Sequence, residues 1–273
     1  MFSQVLLLVL TTVALIVAMA FSVKVLLDTN EKIYKHFAYS PFAMGALIFG
    51  IGLSLPGTIF AQIAVRQGEF GTVLGMVVGV LASNLFLIYG MSGVFGRLLI
   101  LRREILIQFY FQLGAILLLG PILVFGYYQG ICGFILIAFF IFYLWMILGM
   151  IPGKISRRIP ISEKDIVVGH PWIWLKAFVA LGVLIAAEVF LVGKSQEIGK
   201  GPEVSSFVMS AIIMGLAATF PQLLVALIAM ITKKNTDIIT GSVIGSNIFY
   251  GCFVFGTTCF YNFDFKRNFL TEW

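Results

Sequence analysis

Charge is scarce in this chain. Its 18 Lys and Arg and 12 Asp and Glu amount to 11% of 273 residues, where a soluble domain carries about 25%. Hydrophobic residues make up 60%, more than a water-soluble fold of this length can hide from solvent. Histidine is nearly missing, at two residues, and cysteine is limited to Cys132, Cys252 and Cys259. All three cysteines lie in apolar stretches, with no C-x-x-C and no His/Cys cluster. Nothing there suggests a disulfide framework, a zinc site or thiol redox chemistry, and they read as small buried hydrophobes. No Walker loop, HExxH, nucleophile elbow or Rossmann fingerprint occurs, which argues against an enzyme and leaves no cofactor to expect. The net charge of +6 does not point to nucleic acid, because basic excess in so apolar a chain marks cytoplasmic loops. This composition belongs to an integral membrane protein whose surroundings are the lipid bilayer.

Long apolar runs are what the sequence has in abundance. A membrane span needs roughly 20 mostly apolar residues, and such runs predict helices near 4–27, 40–65, 71–96, 105–126, 129–151, 172–193, 204–231 and 238–262. The first run, Val5 to Leu27, lacks a basic leader and exceeds the ~7–15 residues of a signal-peptide core, so a retained transmembrane helix is expected. The most polar stretch, Gly153 to His170, carries Lys154, Arg157, Arg158, Glu163, Lys164 and Asp165. It divides the chain into a first membrane half (1–151), a linker (152–171) and a shortened second half (172–273). Alternating the loops between sides leaves only Arg66, Lys194, Lys200, Lys266 and Arg267 opposite the remaining basic residues. The richer side, which includes the linker, is expected to be cytoplasmic, with both termini outside.

The chain repeats itself. Tyr39–Thr58 aligns with Val204–Leu223 through the identities Ser40/Ser205, Phe42/Phe207, Met44/Met209, Ala46/Ala211, Ile48/Ile213, Gly50/Gly215 and Pro56/Pro221. Upstream, Asn30-Glu31-Lys32-Ile33 faces Gln196-Glu197-Ile198; downstream, Ala82-Ser83-Asn84-Leu85-Phe86 faces Gly245-Ser246-Asn247-Ile248-Phe249. An odd number of predicted helices separates the copies, so they cross the membrane in opposite directions. The expected fold is an all-α integral membrane protein with an inverted-topology repeat and about eight transmembrane helices, the architecture of many secondary transporters. In each copy a proline, Pro56 or Pro221, interrupts an apolar helix and frees a backbone carbonyl. Freed backbone at membrane depth is tolerated only where protein or a wet cavity satisfies it, which points to a binding site at the repeat interface.

These residues resemble the alpha-repeats of the sodium/calcium exchanger family. The first copy reads Gly52-Leu53-Ser54-Leu55-Pro56-Gly57, then Ala82-Ser83-Asn84-Leu85-Phe86-Leu87; the second reads Ala217-Ala218-Thr219-Phe220-Pro221-Gln222, then Gly245-Ser246-Asn247-Ile248-Phe249-Tyr250. The resemblance implies antiport of small cations, Na⁺, Ca²⁺ or another, at a site between the repeats of a multi-pass protein of the plasma (cell inner) membrane. It also implies a cation site lined by Ser54, Ser83, Asn84, Thr219, Gln222, Ser246 and Asn247. The departures are specific. Where the family places Glu after each motif proline, this chain has Gly57 and Gln222; where it places an acid or amide after Ser-Asn-x-Phe, this chain has Leu87 and Tyr250. The family's last two helices are expected to have no counterpart, so a homo-oligomer or a partner membrane protein is expected to cover the second repeat.

The oxygens left at the motifs are neutral. Ca²⁺ prefers six to eight oxygen ligands, normally including carboxylates, so the expected ion choice is altered, toward a monovalent ion or a neutral solute. Restoring acids with Gly57→Glu and Gln222→Glu is expected to raise Ca²⁺ affinity. One acid lies inside a span, Glu188 in Ala186-Ala187-Glu188-Val189-Phe190, where a charge costs at least ~2.5–3.5 kcal/mol; it is a candidate cation or proton site. Gln62, Gln108 and Gln112 are expected to bond between helices. Two functions fit: a secondary active transporter with changed ion choice, and a non-transporting exchanger-like membrane scaffold or regulatory protein.

Overall fold

A computed structural model describes residues 2–37, 39–95, 102–125, 130–150, 171–198 and 205–261. The linker and the residues after Tyr261 lie outside the described residues. Eight helices account for nearly all the rest: α1 (Phe2–His36), α2 (Pro41–Arg66), α3 (Phe70–Phe95), α4 (Arg102–Phe125), α5 (Gly130–Met150), α6 (Pro171–Ile198), α7 (Ser206–Ile231) and α8 (Asp237–Thr258). Each expected span coincides with one of them, and no strand occurs among the described residues. Seven are long and apolar enough to cross a membrane, while α4 contributes a shorter apolar segment, Phe109–Pro121. Large apolar side chains such as Phe21, Phe86, Trp145 and Phe178 point outward, which is the surface a bilayer covers.

Helix α8 is almost wholly buried and forms the centre. The two copies interleave around it: α2 of the first repeat packs on α8 of the second, and α7 of the second on α3 of the first. Small residues allow the approach. A Cβ at Gly50 would lie 2.8 Å from the Ser242 carbonyl oxygen, and one at Gly215 would lie 2.6 Å from the Gly79 Cα. Gly45 against Ile238 recurs in the other copy as Ser210 against Gly75. The contacts therefore repeat by the same residue correspondence as the sequence.

The motif prolines do not break their helices, contrary to the sequence expectation. Pro56 and Pro221 lie inside helices that continue to Arg66 and Ile231. The irregularity is displaced upstream, where the backbone widens to π-helix over Gly45–Gly52 and Ser210–Met214. Widening the turn makes room for a ring that cannot donate to the preceding turn. The hydroxyls before the prolines bond back to carbonyls one turn upstream on their own helices: Ser54 Oγ donates to Gly50 O at 2.6 Å and Thr219 Oγ1 to Gly215 O at 3.0 Å. Further π segments, Ser83–Tyr89 and Phe249–Val254, accompany the Ser-Asn-x-Phe motifs.

Both proline helices also end alike. Gly68 (φ 80°) and Lys233 (φ 54°) adopt the left-handed conformation at equivalent positions. The next amide in each closes back on the helix, Glu69 N on Ala64 O at 2.9 Å and Lys234 N on Ala229 O at 2.8 Å, a Schellman closure. This second turn is fastened to α1. Lys234 Nζ pairs with Asp28 Oδ1 at 2.7 Å and with Glu31, which also meets Lys35 at 2.8 Å. Partial burial alone would lower the Lys234 pKa, but hydrogen bonds and charges from Asp28 and Glu31 outweigh it and hold the ammonium above its ordinary range.

Candidate functional site

The interleaving brings both proline helices and both Ser-Asn helices to one point. Ser54 from α2, Asn84 from α3, Gln222 from α7 and Ser246 from α8 are all buried there. Asn84 Nδ2 donates to Ser246 Oγ at 3.2 Å and to Asn247 Oδ1 at 2.8 Å. Ser54 and Ser246 hydroxyls meet at 3.0 Å. Since Ser54 already donates to Gly50, Ser246 is the donor in that bond. The Asn84 Oδ1 oxygen is left without a hydrogen-bond partner among protein atoms.

Gln222 has two amide orientations, and hydrogen bonding chooses between them. With nitrogen inward it reaches Ser54 Oγ at 3.3 Å and Ser246 Oγ at 3.5 Å. With oxygen inward the nitrogen donates to Ala218 O at 3.0 Å and Thr219 O at 3.2 Å, while the oxygen faces Ser54 Oγ at 3.3 Å. The second arrangement gives the amide nitrogen two carbonyl acceptors and turns a neutral oxygen toward the cluster. Thr219, although fully buried, spends its hydroxyl on carbonyls of its own helix, Gly215 and Leu216. Ser83 is buried in the π segment beside Asn84. Five of the sequence candidates, Ser54, Asn84, Gln222, Ser246 and Asn247, thus share one hydrogen-bonded cluster. Glu188 stands apart on α6, fully buried, with neither carboxylate oxygen hydrogen-bonded. Gln62 takes the expected interhelical role, donating to Thr257 Oγ1 at 2.8 Å; the Gln108 side chain lies outside those described.

Tyr250 is the residue whose place in the site the sequence did not reveal. A Cβ built at Gly57 would fall 2.1 Å from the Tyr250 hydroxyl oxygen and 2.6 Å from the ring carbon that bears it. The ring occupies the space that a side chain after the first motif proline would fill. Gly57 follows Ser54 by three residues on α2, and Tyr250 follows Ser246 by four on α8. The Gly57–Tyr250 contact is therefore the next helical turn of the interface that joins Ser54 to Ser246. The two departures are one feature: the tyrosine needs the glycine. Restoring an acid at Gly57 by itself would drive it into a fully buried ring, which corrects the expectation that Gly57→Glu and Gln222→Glu suffice. No group of three or more His, Cys, Asp or Glu residues is placed to hold a metal among the described residues.

The sequence model of the sodium/calcium exchanger protein family matches residues 6–149 and 172–271, across both repeats. This chain belongs to the sodium/calcium exchanger protein family. It is 27% identical over 223 residues to the uncharacterized membrane protein MJ0091 of Methanocaldococcus jannaschii, covering 80% of this chain and 70% of that one. It is 24% identical over 235 residues to the inner membrane protein YrbG of Escherichia coli, covering 81% and 69%. The fold is similar to that of the sodium-calcium exchanger NCX_Mj, solved after soaking with Na⁺ and Sr²⁺, with a TM-score of 0.71, 21% identity and coverage of 93% of this chain and 83% of that one. A form of NCX_Mj soaked with zero Na⁺ and Ca²⁺ matches with the same TM-score, covering 92% and 83%. The exchanger-family chain described here is a multi-pass integral membrane protein with an inverted-repeat fold, and its family and fold are those of cation transporters.

Proposed function

We propose that this exchanger-family protein is a secondary active cation transporter of the plasma (cell inner) membrane, working by alternating access, with a central site for a monovalent cation rather than Ca²⁺. The observation that carries the reading is the composition of the crossing point: four helices meet in serine, asparagine and glutamine side chains, without a carboxylate. Asn84 Oδ1, without a protein partner, and the inward oxygen of Gln222, facing Ser54 Oγ, supply neutral dipoles. Neutral oxygens can replace part of the hydration shell of a monovalent ion. A divalent ion loses far more hydration and needs anionic ligands in return. Backbone irregularity at the same depth supplies elements with more than one hydrogen-bonding register, which rocking of one repeat against the other requires.

The test is radiotracer uptake into proteoliposomes under opposed Na⁺, Rb⁺ and Ca²⁺ gradients. Counterflow of Na⁺ or Rb⁺ without Ca²⁺ uptake is the expected result, and selective Ca²⁺ uptake overturns it. A non-transporting scaffold is favoured by one feature, the tyrosine ring filling the Gly57 notch. Absence of flux for every ion in a folded, monodisperse preparation would establish that second reading.

A further inference from the structure

Glu188 is not explained by the fold. Its carboxylate is fully buried, and neither oxygen has a hydrogen-bond partner. The repeat alignment that pairs Glu31 with Glu197 pairs Glu188 with Ser22 on α1, which is buried and neutral. The acid therefore belongs to one copy alone, and the architecture has no need of it. An ionised carboxylate without donors or a cation is untenable in an apolar interior. Two states relieve it: protonation, or a cation close by.

Helix α6 packs against α1, α2 and α7. The titratable groups of α1 are Lys24, Asp28, Glu31, Lys32, Tyr34, Lys35 and His36, gathered toward one end; α2 carries only Arg66, at its last position; α7 carries none. On α6 itself Lys176, Lys194 and Glu197 are more than a turn away along the helix. Tyr250 on α8 feels the charge of Glu188. Its hydroxyl is likewise fully buried and without a hydrogen-bond partner, and it sits on Gly57, one turn from the Ser54–Ser246 contact. Tyr250 thus packs on the helical turn next to the cation cluster and feels the charge of Glu188.

The geometry points to a proton site at Glu188, coupled through Tyr250 to the central cluster, that makes H⁺ the counter-ion of this transporter; it rests on the transport reading above. When the cluster is vacant the carboxyl is protonated and neutral. As a monovalent cation enters, the proton leaves to water on the same side and the carboxylate offsets the arriving charge. One proton departs for each unit of positive charge that enters, so the interior keeps its net charge. Tyr250, a neutral donor, orients the carboxylate in the second state and has no partner in the first.

The site is tested on the purified full-length chain by infrared difference spectroscopy, with and without Na⁺, K⁺ or Li⁺. The expected result is a protonated-carboxyl C=O band at neutral pH that is lost on adding one of these cations and missing in Glu188→Gln. Tyr250→Phe keeps the ring in the Gly57 notch and is expected to shift the pH at which the band disappears. In proteoliposomes holding a pH dye, a cation gradient should drive opposed H⁺ movement that Glu188→Gln abolishes. Should Glu188→Gln fail to fold, carbodiimide labelling of wild type, mapped by mass spectrometry, reads the same carboxyl: modification of Glu188 that the cation suppresses is expected. Absence of the Glu188 band or label at neutral pH, or either one indifferent to every cation tested, overturns the proposal. A cation-sensitive band in a protein without flux would overturn the transport reading and leave the proton site standing.

Discussion

Substituting Gly57 perturbs the contact between the repeats most directly. Even Gly57→Ala places a methyl group 2.1 Å from the Tyr250 oxygen, well inside van der Waals contact, and the ring has no exposed side toward which to move. Overpacking of this kind costs about 1–3 kcal/mol, a fall in melting temperature of roughly 2–12 °C for a chain of this size. Tyr250→Ala alone opens a cavity worth about 3–5 kcal/mol. In that background Gly57→Ala should cost almost nothing, so a double-mutant cycle should return a coupling of about 1–3 kcal/mol. Thermal unfolding of the four proteins in detergent measures it. The same geometry governs calcium: Gln222→Glu with Gly57→Glu is expected to gain little, whereas adding Tyr250→Ala makes room for a carboxylate. Such a carboxylate contributes about 4 kcal/mol per unit charge at 4 Å and an effective dielectric of ~20, before desolvation. Calorimetric Ca²⁺ titration of the triple variant against the double variant reads the difference. Full stability of Gly57→Ala, or zero coupling in the cycle, would refute the claim that Tyr250 fills the glycine's place.

The helix crossings make a sharper steric claim: Gly79→Ala, whose Cβ would meet the Ala211 carbonyl oxygen at 2.0 Å, should be poorly folded, while Gly149→Ala, with nothing within 4 Å, should melt like wild type. Lys233→Gly should raise stability by roughly 0.5–1 kcal/mol, since it relieves a left-handed lysine where the other repeat uses Gly68; a lower melting temperature would count against that. Lys234→Ala should cost about 1 kcal/mol at low salt and less at high salt, because its partners are partly exposed. As the folded pKa of Lys234 is raised, its contribution should be fully present below the ordinary value of about 10.5 and lost as pH rises through the folded value, which melts at pH 8 and above 11 can compare. Orientation can be read from cysteines introduced at Lys164 and Gln129, both outside the described residues; they should label from opposite sides of the membrane, and labelling of both from one side would remove the assignment.

The sequence by itself determined the class of environment, the spans and the inverted repeat, because these depend on short-range properties. Twenty apolar residues cross a bilayer whatever their neighbours do, and a duplicated motif keeps its local chemistry in both copies. The repeat and the family resemblance also pointed to Ser54, Asn84, Gln222, Ser246 and Asn247 as candidates, residues that the fold gathers in one hydrogen-bonded cluster. Only the tertiary structure decided how the prolines are absorbed, because a π-helical turn upstream of Pro56 or Pro221 depends on the helix it packs against. It alone separated Thr219, bonded to its own helix, from Ser54, bonded across to α8. The Gly57–Tyr250 exchange was visible in sequence as two unrelated losses, in residues that are far apart along the chain and touch through space. A sequence records which side chain is missing at a position; which neighbour has moved into the vacated volume is set by packing between helices.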